Sequence, residues 1–189
     1  MSIEMAIVAA VINGDRLAPQ LSTSSHYKHW ITVGDGKQCA ACQRNHGKIW
    51  MIFETPYPQP PVHPKCRCII ECMQAIKAGT ATINGLYGAD WMLKYTGALP
   101  NDYVLKKDLE LLGWRRGREV SKFAAGKIFC GGAYKNADQH LPQISGREWY
   151  EADINYRSGK RNAERILWSN DGLIFVTYDH YKTFYEIVG

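Results

Sequence analysis

The spacing of apolar residues in the segment 84–113 predicts two helices. The first would end at Gly97 and Pro100, which are typical stop signals, after a run at near-helical spacing: Leu86, Ala89, Trp91, Met92 and Tyr95. The second would run through Leu105–Leu112 and end at Gly113, because VLKKDLELLGW has apolar residues at four-residue recurrence.

From Trp149 onward the apolar period changes to two, which is typical of strands. EADINY, RILWSND and GLIFVTY each have this period, and Asn170-Asp171-Gly172 predicts a hairpin turn between the last two. Helices followed by antiparallel strands predict an α+β fold for this part of the chain.

The first residues of the chain have a different pattern. After Glu4 the sequence is mostly apolar up to Ile12, a run that predicts a short buried helix or strand and is too short to span a bilayer. A basic region before it is missing, so neither a signal peptide nor a transmembrane helix is evident. The segment HYKHW, residues 26–30, is expected to pack on the module that follows it.

Composition narrows the class of protein only slightly. The 189 residues are 46% hydrophobic and 12% aromatic, which is enough for a packed core. The formal charge of +5 favours polyanionic partners without requiring them.

Five of the six cysteines lie between Cys39 and Cys72. Two short-spaced pairs separated by a loop are the arrangement that tetrahedral zinc needs, so we predict a structural zinc ion held by Cys39, Cys42, Cys66 and Cys68. His63 is the first substitute, while His46 and Cys72 also lie within reach by sequence. Disulfides and free thiols are the alternatives, and the lack of an export signal disfavours disulfides.

The segment 46–68, HGKIWMIFETPYPQPPVHPKCRC, predicts a strand around Trp50 and Phe53 followed by a proline-rich turn. A hairpin capped by metal would suit this pattern. Together with the C-x-x-C at 39–42, the H-G-K at 46–48 and the P-P-V-H-P-K-C-R-C at 60–68 resemble the cysteine-rich end of phage minor head and head-morphogenesis proteins. That resemblance implies an adaptor or packaging piece and carries no catalytic expectation.

The composition changes after Glu71, where MQAIKAGTAT is small and polar. We therefore predict four parts: an N-terminal segment of unknown role (1–38), a small Cys/His zinc-binding module (39–72), a linker (73–82) and an α+β domain (83–189).

Several motifs in the last part carry a second resemblance. ADWMLKY before ALPNDY, then LLGW, GGAY, SGREWYEADINYRSGKRNAERIL and TYDHYKTF agree in order and spacing with the barnase-like family of guanyl-preferring bacterial ribonucleases. The resemblance covers nearly all of the chain from Ile83 to Ile187. It implies N-terminal helices followed by an antiparallel sheet, and cleavage of RNA without a metal ion.

The resemblance also implies a catalytic site. Glu151 occupies the position of the family's general base and His180 that of its general acid. Arg161 and Arg165 match two phosphate-binding arginines, and Lys106 matches an essential lysine. Such a reaction needs a base for the ribose 2′-hydroxyl, an acid for the leaving 5′-oxygen and cations for the charge that builds on phosphorus.

Base recognition is expected in the segment 131–138, which is one residue shorter here than in the family. Asn136 matches the loop's asparagine, and Asp138 stands in for an acidic residue that accepts hydrogen bonds from guanine. Ala137 and Ala133 replace an arginine and an aspartate of the family, which weakens the expected guanine preference. Tyr181 is expected either to stack on a base or ribose or to pack on the sheet.

Two further roles are expected to be structural. Asp153 lies two residues after Glu151, on the same face of a strand, and is expected to orient an arginine. Arg147 and Asp171 match an ion pair of the family that joins the loop before the Glu151 strand to the hairpin.

The resulting hypothesis is an endoribonuclease toxin or effector that cleaves single-stranded RNA to a 2′,3′-cyclic phosphate and prefers guanosine. The resemblance implies an acidic inhibitor of the barstar kind as a partner. A phage particle or secretion system would export or deliver the chain, which would act in a bacterial cytoplasm. The alternative is a non-enzymatic protein of a phage-like particle that uses the fold to bind RNA or protein.

Overall fold

The structure is a computed structural model that describes residues 19–22 and 25–189. In chain order its strands are β1 (Leu21–Ser22), β2 (Tyr27–Ile31), β3 (Ile49–Met51), β4 (Ile69–Cys72), β5 (Ala75–Lys77), β6 (Tyr103–Leu105), β7 (Ile128–Tyr134), β8 (Trp149–Asp153), β9 (Arg165–Ser169), β10 (Ile174–Thr177) and β11 (Tyr185–Val188). The α-helices are α1 (Ala40–Asn45), α2 (Ala89–Thr96) and α3 (Lys106–Leu111), with short 3₁₀ turns at Gly85–Tyr87 and Val120–Lys122. The buried element predicted between Glu4 and Ile12 lies outside the described residues.

The larger sheet has eight strands in the order β1-β5-β11-β10-β9-β8-β7-β6. Neighbours from β7 to β11 pair antiparallel, whereas β6 pairs with β7 and β5 with β11 in parallel. The predicted combination of helices and sheet is therefore confirmed at the level of a mixed fold. Helices are few, and the sheet is mixed and not wholly antiparallel.

Both helices predicted in the second half are present. Helix α2 ends at Gly97, whose φ of 73° places it in the left-handed conformation that glycine adopts without steric cost. Helix α3 covers six residues of the predicted second helix. The predicted hairpin is also confirmed, since β9 and β10 pair antiparallel across residues 170–173.

The two faces of the large sheet bury different cores. One face packs against α2 through a cluster that includes Ala89, Leu93, Ala152, Ile154 and Ile166. The opposite face packs through Trp149, Leu167, Phe175 and Phe184 against residues from the first half of the chain, namely Tyr27, Ile49 and Met73. Since side chains alternate along a strand, Glu151 and Asp153 share the face of Trp149.

The smaller sheet has the order β3-β2-β4, with both neighbours antiparallel to β2. The expected hairpin within 46–68 is therefore wrong: strand β3 pairs with β2, which comes from the segment HYKHW. Trp30 of β2 is fully buried, so this segment forms the centre of the small sheet. The small sheet extends beyond the predicted module of residues 39–72, and the name Cys/His module is used below for residues 27–73.

The segment predicted as a linker, 73–82, contains β5 and is tied to the large sheet. Asp90 of α2 is fully buried and accepts hydrogen bonds from the backbone N–H groups of Gly79 and Ala81 and from the Thr82 hydroxyl. Because three donors bind this buried carboxylate, the segment is held against α2. Within the described ranges, none of the helices is long and apolar enough to cross a membrane.

The loop before β8 is joined to the β9–β10 hairpin by the ion pair that the sequence predicted. Arg147 donates from Nε and Nη2 to the carboxylate of Asp171 at 2.7 to 3.0 Å, and from Nη1 to the carbonyl oxygen of Pro142. The Arg147 guanidinium holds the pKa of Asp171 below its usual value.

This ion pair predicts a pH-dependent contribution to stability. A carboxyl group whose pKa is lower in the folded state stabilises the protein above its unfolded pKa, and that stabilisation is lost as the pH falls. The Tm difference between the wild type and Asp171→Asn should be largest above about pH 5 and shrink below about pH 4. Thermal unfolding from pH 7 to pH 3 measures it.

An Arg147→Met background is the control, because Asp171→Asn should there have a much smaller effect that no longer depends on pH. An equal Tm difference at pH 7 and pH 3 would contradict the assignment.

Candidate active site

The carboxylate of Glu151 lies over a gap in the neighbouring strand. Strand β7 has a bulge between Cys130 and Gly132, and Gly132 has a φ of 81°. A Cβ atom at Gly131 would lie 2.8 Å from Glu151 Oε1, so a larger residue there would displace the carboxylate. The pair Gly131-Gly132 therefore makes room for Glu151.

A tyrosine fixes the orientation of this carboxylate. Tyr181 donates from Oη to Glu151 Oε2 at 2.6 Å, and its ring stacks on Tyr134 with centroids 5.5 Å apart. Burial, followed by the hydrogen bond to Glu151, raises the pKa of Tyr181, so its hydroxyl remains a donor at neutral pH. Tyr181 thus packs on the sheet and contacts Glu151, the predicted general base.

Asp153 binds both predicted phosphate-binding arginines. Arg161 donates from Nε and Nη2 to the two oxygens of Asp153, at 2.6 Å each, and Nε of Arg165 lies 3.1 Å from Asp153 Oδ1. Asp153 is 0% exposed. The Arg161 guanidinium also lies over the ring of Phe129, 3.8 Å from its centroid. These contacts hold the two guanidinium groups beside Glu151.

His180 lies in a turn with unusual backbone geometry. His180 and Tyr181 have φ values of 60° and 69°, a conformation that costs non-glycine residues free energy. Asp179 supports the turn, since its Oδ1 accepts from the Thr177 hydroxyl and from the backbone N–H groups of Lys182 and Thr183. The His180 ring is exposed and meets the Tyr181 ring edge-on, with centroids 4.8 Å apart. The turn therefore presents the His180 imidazole to solvent next to Tyr181.

The ion pair that Lys106 forms lies within its own helix and not with the residues around Glu151. This lysine is the first residue of α3, directly after Leu105, which pairs with Cys130 at the bulge of β7. Its ion pair in the structure is with Glu110 of the same helix, at 3.7 Å. Half-exposed and flexible, its side chain is free to reorient when a phosphate is bound.

In the predicted recognition loop, Asn136 and Asp138 have different environments. The Asn136 side chain is buried and makes two hydrogen bonds to the backbone of Leu141, one as donor and one as acceptor. It therefore shapes the loop from within. Asp138 is exposed and is able to meet a ligand.

All five predicted metal ligands meet at one place in the Cys/His module. They form two groups that share Cys42, and within each group all ligand atoms lie within 4.8 Å of one another. One group is Cys39, Cys42 and His63, and the other is Cys42, Cys66 and Cys68. His46 and Cys72 belong to neither group.

The distances within these groups fit zinc. Cys42 Sγ lies 3.8 Å from Cys66 Sγ and 3.6 Å from His63 Nε2. Tetrahedral zinc with Zn–S distances of about 2.3 Å and Zn–N distances of about 2.0 Å places its ligand atoms about 3.5 to 3.8 Å apart. The backbone N–H of Cys42 also donates to Cys39 Sγ, and a hydrogen bond from the Cys68 backbone is the main reason that the pKa of Cys66 is lowered to about 7. These bonds favour the thiolate form that binds metal.

Two features of the site, Tyr134 and the Gly131-Gly132 pair, lie in the predicted recognition segment but had no individual role predicted from the sequence. Tyr134 carries the stacked ring of Tyr181, and the Gly131-Gly132 pair makes the bulge. The glycine pair inside a strand pattern was the one available signal.

The buried carboxylate of Asp153 gives a stability prediction. Asp153→Asn should lower the free energy of unfolding by about 3 kcal/mol, because removing one member of a buried ion pair leaves uncompensated charge. Urea unfolding of the variant and the wild type measures the change.

Asp108→Asn, on the exposed side of α3, is the matched control and should cost less than about 1 kcal/mol. Equal midpoints for the two variants would show that the Asp153 carboxylate does not hold the arginines.

Comparisons with known proteins give the family of this chain. The ribonuclease family model matches residues 94–188. A ribonuclease of Heyndrickxia coagulans is 44% identical over 109 residues, which are 57% of this chain and 99% of that protein. Ribonucleases of Bacillus intermedius and Bacillus pumilus are each 44% identical over 109 residues, again 57% of this chain and 67% of each relative. The range 94–188 includes Glu151 and the residues described around it. The chain belongs to the ribonuclease family.

Proposed function

We propose that this chain is an endoribonuclease that cleaves single-stranded RNA by transesterification and leaves a 2′,3′-cyclic phosphate. The observation that carries the proposal is the Glu151 carboxylate, held by Tyr181 at 2.6 Å beside the two guanidinium groups that Asp153 binds. A carboxylate repels phosphate, so a protein that only binds RNA gains nothing from holding one among its cations.

The roles of the residues follow from the chemistry. Glu151 accepts the proton of the ribose 2′-hydroxyl, whose oxygen attacks phosphorus, and the bond from phosphorus to the 5′-oxygen breaks. His180 donates a proton to that departing oxygen. Arg161, Arg165 and Lys106 stabilise the negative charge on the phosphoryl oxygens, for which the planar guanidinium fork is well suited. The reaction needs no metal ion.

Guanosine is the proposed nucleoside on the 5′ side of the cleaved bond, and guanine is its base. The exposed carboxylate of Asp138 would accept hydrogen bonds from the N–H groups on the edge of guanine, while Asn136 keeps the loop in shape through Leu141. The shorter loop and the alanines at 133 and 137 make this preference weaker than in the family as a whole.

The proposed biological role is that of a toxin or effector. The pocket formed by Lys106, Arg161, Arg165 and His180 would bind the carboxylates of an acidic inhibitor of the barstar kind. The Cys/His module, by its resemblance to phage head proteins, would dock the chain on a phage particle or secretion system that delivers it to a bacterial cytoplasm.

A structural zinc ion is proposed for the Cys/His module, held by Cys42, Cys66, Cys39 and either Cys68 or His63. Zinc here would cross-link the helix α1 to the proline-rich turn, as structural zinc sites do. Burial raises the pKa of the Cys42 thiol, so metal binding has to displace its proton.

The catalytic proposal predicts cleavage of a short RNA with one guanosine, in buffer without divalent cations. The expected product is a 2′,3′-cyclic phosphate on that guanosine, identified by mass spectrometry. Glu151→Ala and His180→Ala should each lower kcat by about 10²- to 10⁴-fold, because each removes a proton-transfer group.

Glu148→Ala and His29→Ala are the matched controls, since both residues lie outside the site, and they should keep wild-type activity. If the folded wild-type chain bound RNA without cutting it, the non-enzymatic alternative would replace this proposal.

The zinc proposal predicts one equivalent of zinc per chain after dialysis, measured by atomic absorption. Cys42→Ser should lose the metal, because Cys42 belongs to both ligand groups. Cys72→Ser, an exposed cysteine outside the groups, should keep it. Comparison of His63→Ala with Cys68→Ser identifies the fourth ligand, and zinc retained by Cys42→Ser would refute the site.

A further inference from the structure

The Cys/His module covers the same face of the large sheet that carries the ribonuclease site. Tyr27 and Ile49 of the module pack with Trp149 and Phe175 of the sheet, and Tyr27 meets Phe175 edge-to-face at 5.2 Å. The same core supports the rings of Tyr134 and Tyr181, which are partly buried against it. The module and the tyrosine that binds Glu151 therefore pack against one hydrophobic core.

One residue of the ribonuclease domain, His140, is held by the module on two sides. The backbone N–H of Ile49 donates to the carbonyl oxygen of His140 at 2.9 Å. The His140 ring lies against Gly47, since a Cβ atom at Gly47 would be 3.4 Å from it. Gly47 has a φ of 82° and follows the C-terminal end of α1, the helix that contains Cys42. Only a few residues of backbone therefore separate Cys42 from the contacts with His140.

On its other side His140 contacts the segment that carries the catalytic turn. Its ring meets Phe184 edge-on with centroids 6.3 Å apart, and the backbone of Tyr181 interacts with the imidazole, which opposes the lowering of its pKa by burial. Burial lowers the pKa of His140, so the ring is neutral at neutral pH and has one N–H to donate. Because the φ values of His180 and Tyr181 are unfavourable, this turn needs support from its surroundings.

We propose that His140 is a positioning residue through which the Cys/His module holds the turn of His180 and Tyr181 in its productive position. The inference rests on the proposed function for its kinetic consequences. The part of the Cys/His module around Gly47 and Ile49 then supports the ribonuclease site, in addition to the docking role proposed for the module.

The test replaces the ring in three ways. His140→Leu removes the N–H donor, His140→Phe removes it but keeps an aromatic ring against Phe184, and His140→Gln keeps an N–H donor. His140→Leu and His140→Phe should each lower kcat by about tenfold or more, because a small displacement of catalytic groups is costly. His140→Gln should recover most of the loss, and KM should change less than kcat.

The matched control is His29→Leu, the same change on β2, where His29 pairs with Glu71 of β4 and leaves the ribonuclease domain untouched. It should keep kcat within about twofold of the wild type. Cleavage of the single-guanosine RNA gives kcat and KM, and urea unfolding of each variant verifies the fold. If His140→Leu fails to fold, His140→Phe decides the matter.

A second readout does not depend on activity. The ring-proton NMR signals of His180 should shift in His140→Leu and His140→Phe, and stay unchanged in His29→Leu. Absence of cleavage by the wild type would sink the proposed function, whereas the NMR shifts would still decide the positioning role. Two results would overturn the inference: unchanged His180 signals and kcat in folded His140→Phe, or a kcat for His140→Gln as low as that for His140→Phe.

Discussion

The buried carboxylate of Asp153 is the constraint on which the site depends. A charge without solvent exposure has to be paired, and Asp153 meets this requirement with two arginines that approach from the loop after β8 and from the start of β9. This pairing folds the segment 154–164 back over the sheet. His180 then docks on the same segment, since its backbone N–H donates to the carbonyl oxygen of Ala163 at 3.1 Å.

The position of Glu151 follows from the alternation of side chains on the same strand. Two residues before Asp153, it faces the same side of the sheet, where the bulge of β7 and the missing side chain of Gly131 leave it room. Tyr181 donates a hydrogen bond to the carboxylate and orients it. The surroundings of Glu151 are therefore assembled from one strand, one bulge and one turn, none of which is adjacent to the others in sequence.

The first half of the chain packs tightly on the ribonuclease domain. In the described part of the chain, strands β1 and β5 extend the sheet beyond β11, and the buried Glu186 of β11 accepts hydrogen bonds from Ser25 Oγ and from the backbone and ring of His26. These contacts and the core shared by Tyr27, Ile49 and Phe175 make the two parts one packed structure. Conditions that loosen the module would consequently be felt in the ribonuclease domain.

The amino-acid sequence by itself predicted two helices and a hairpin of the second half, together with its candidate catalytic residues. Period, stop signals and turn residues define α2, α3 and the β9–β10 hairpin, because these depend on interactions between near neighbours. The ribonuclease motifs and the C-x-x-C spacing identified the candidate catalytic and metal-binding residues for a similar reason: each motif is contiguous. Tertiary structure decided the partners. That β3 pairs with β2 and not in a hairpin, that β5 joins the large sheet, and that His140 lies between Gly47 and Tyr181 result from packing between residues about 20 to more than 100 positions apart, and no local pattern encodes such contacts.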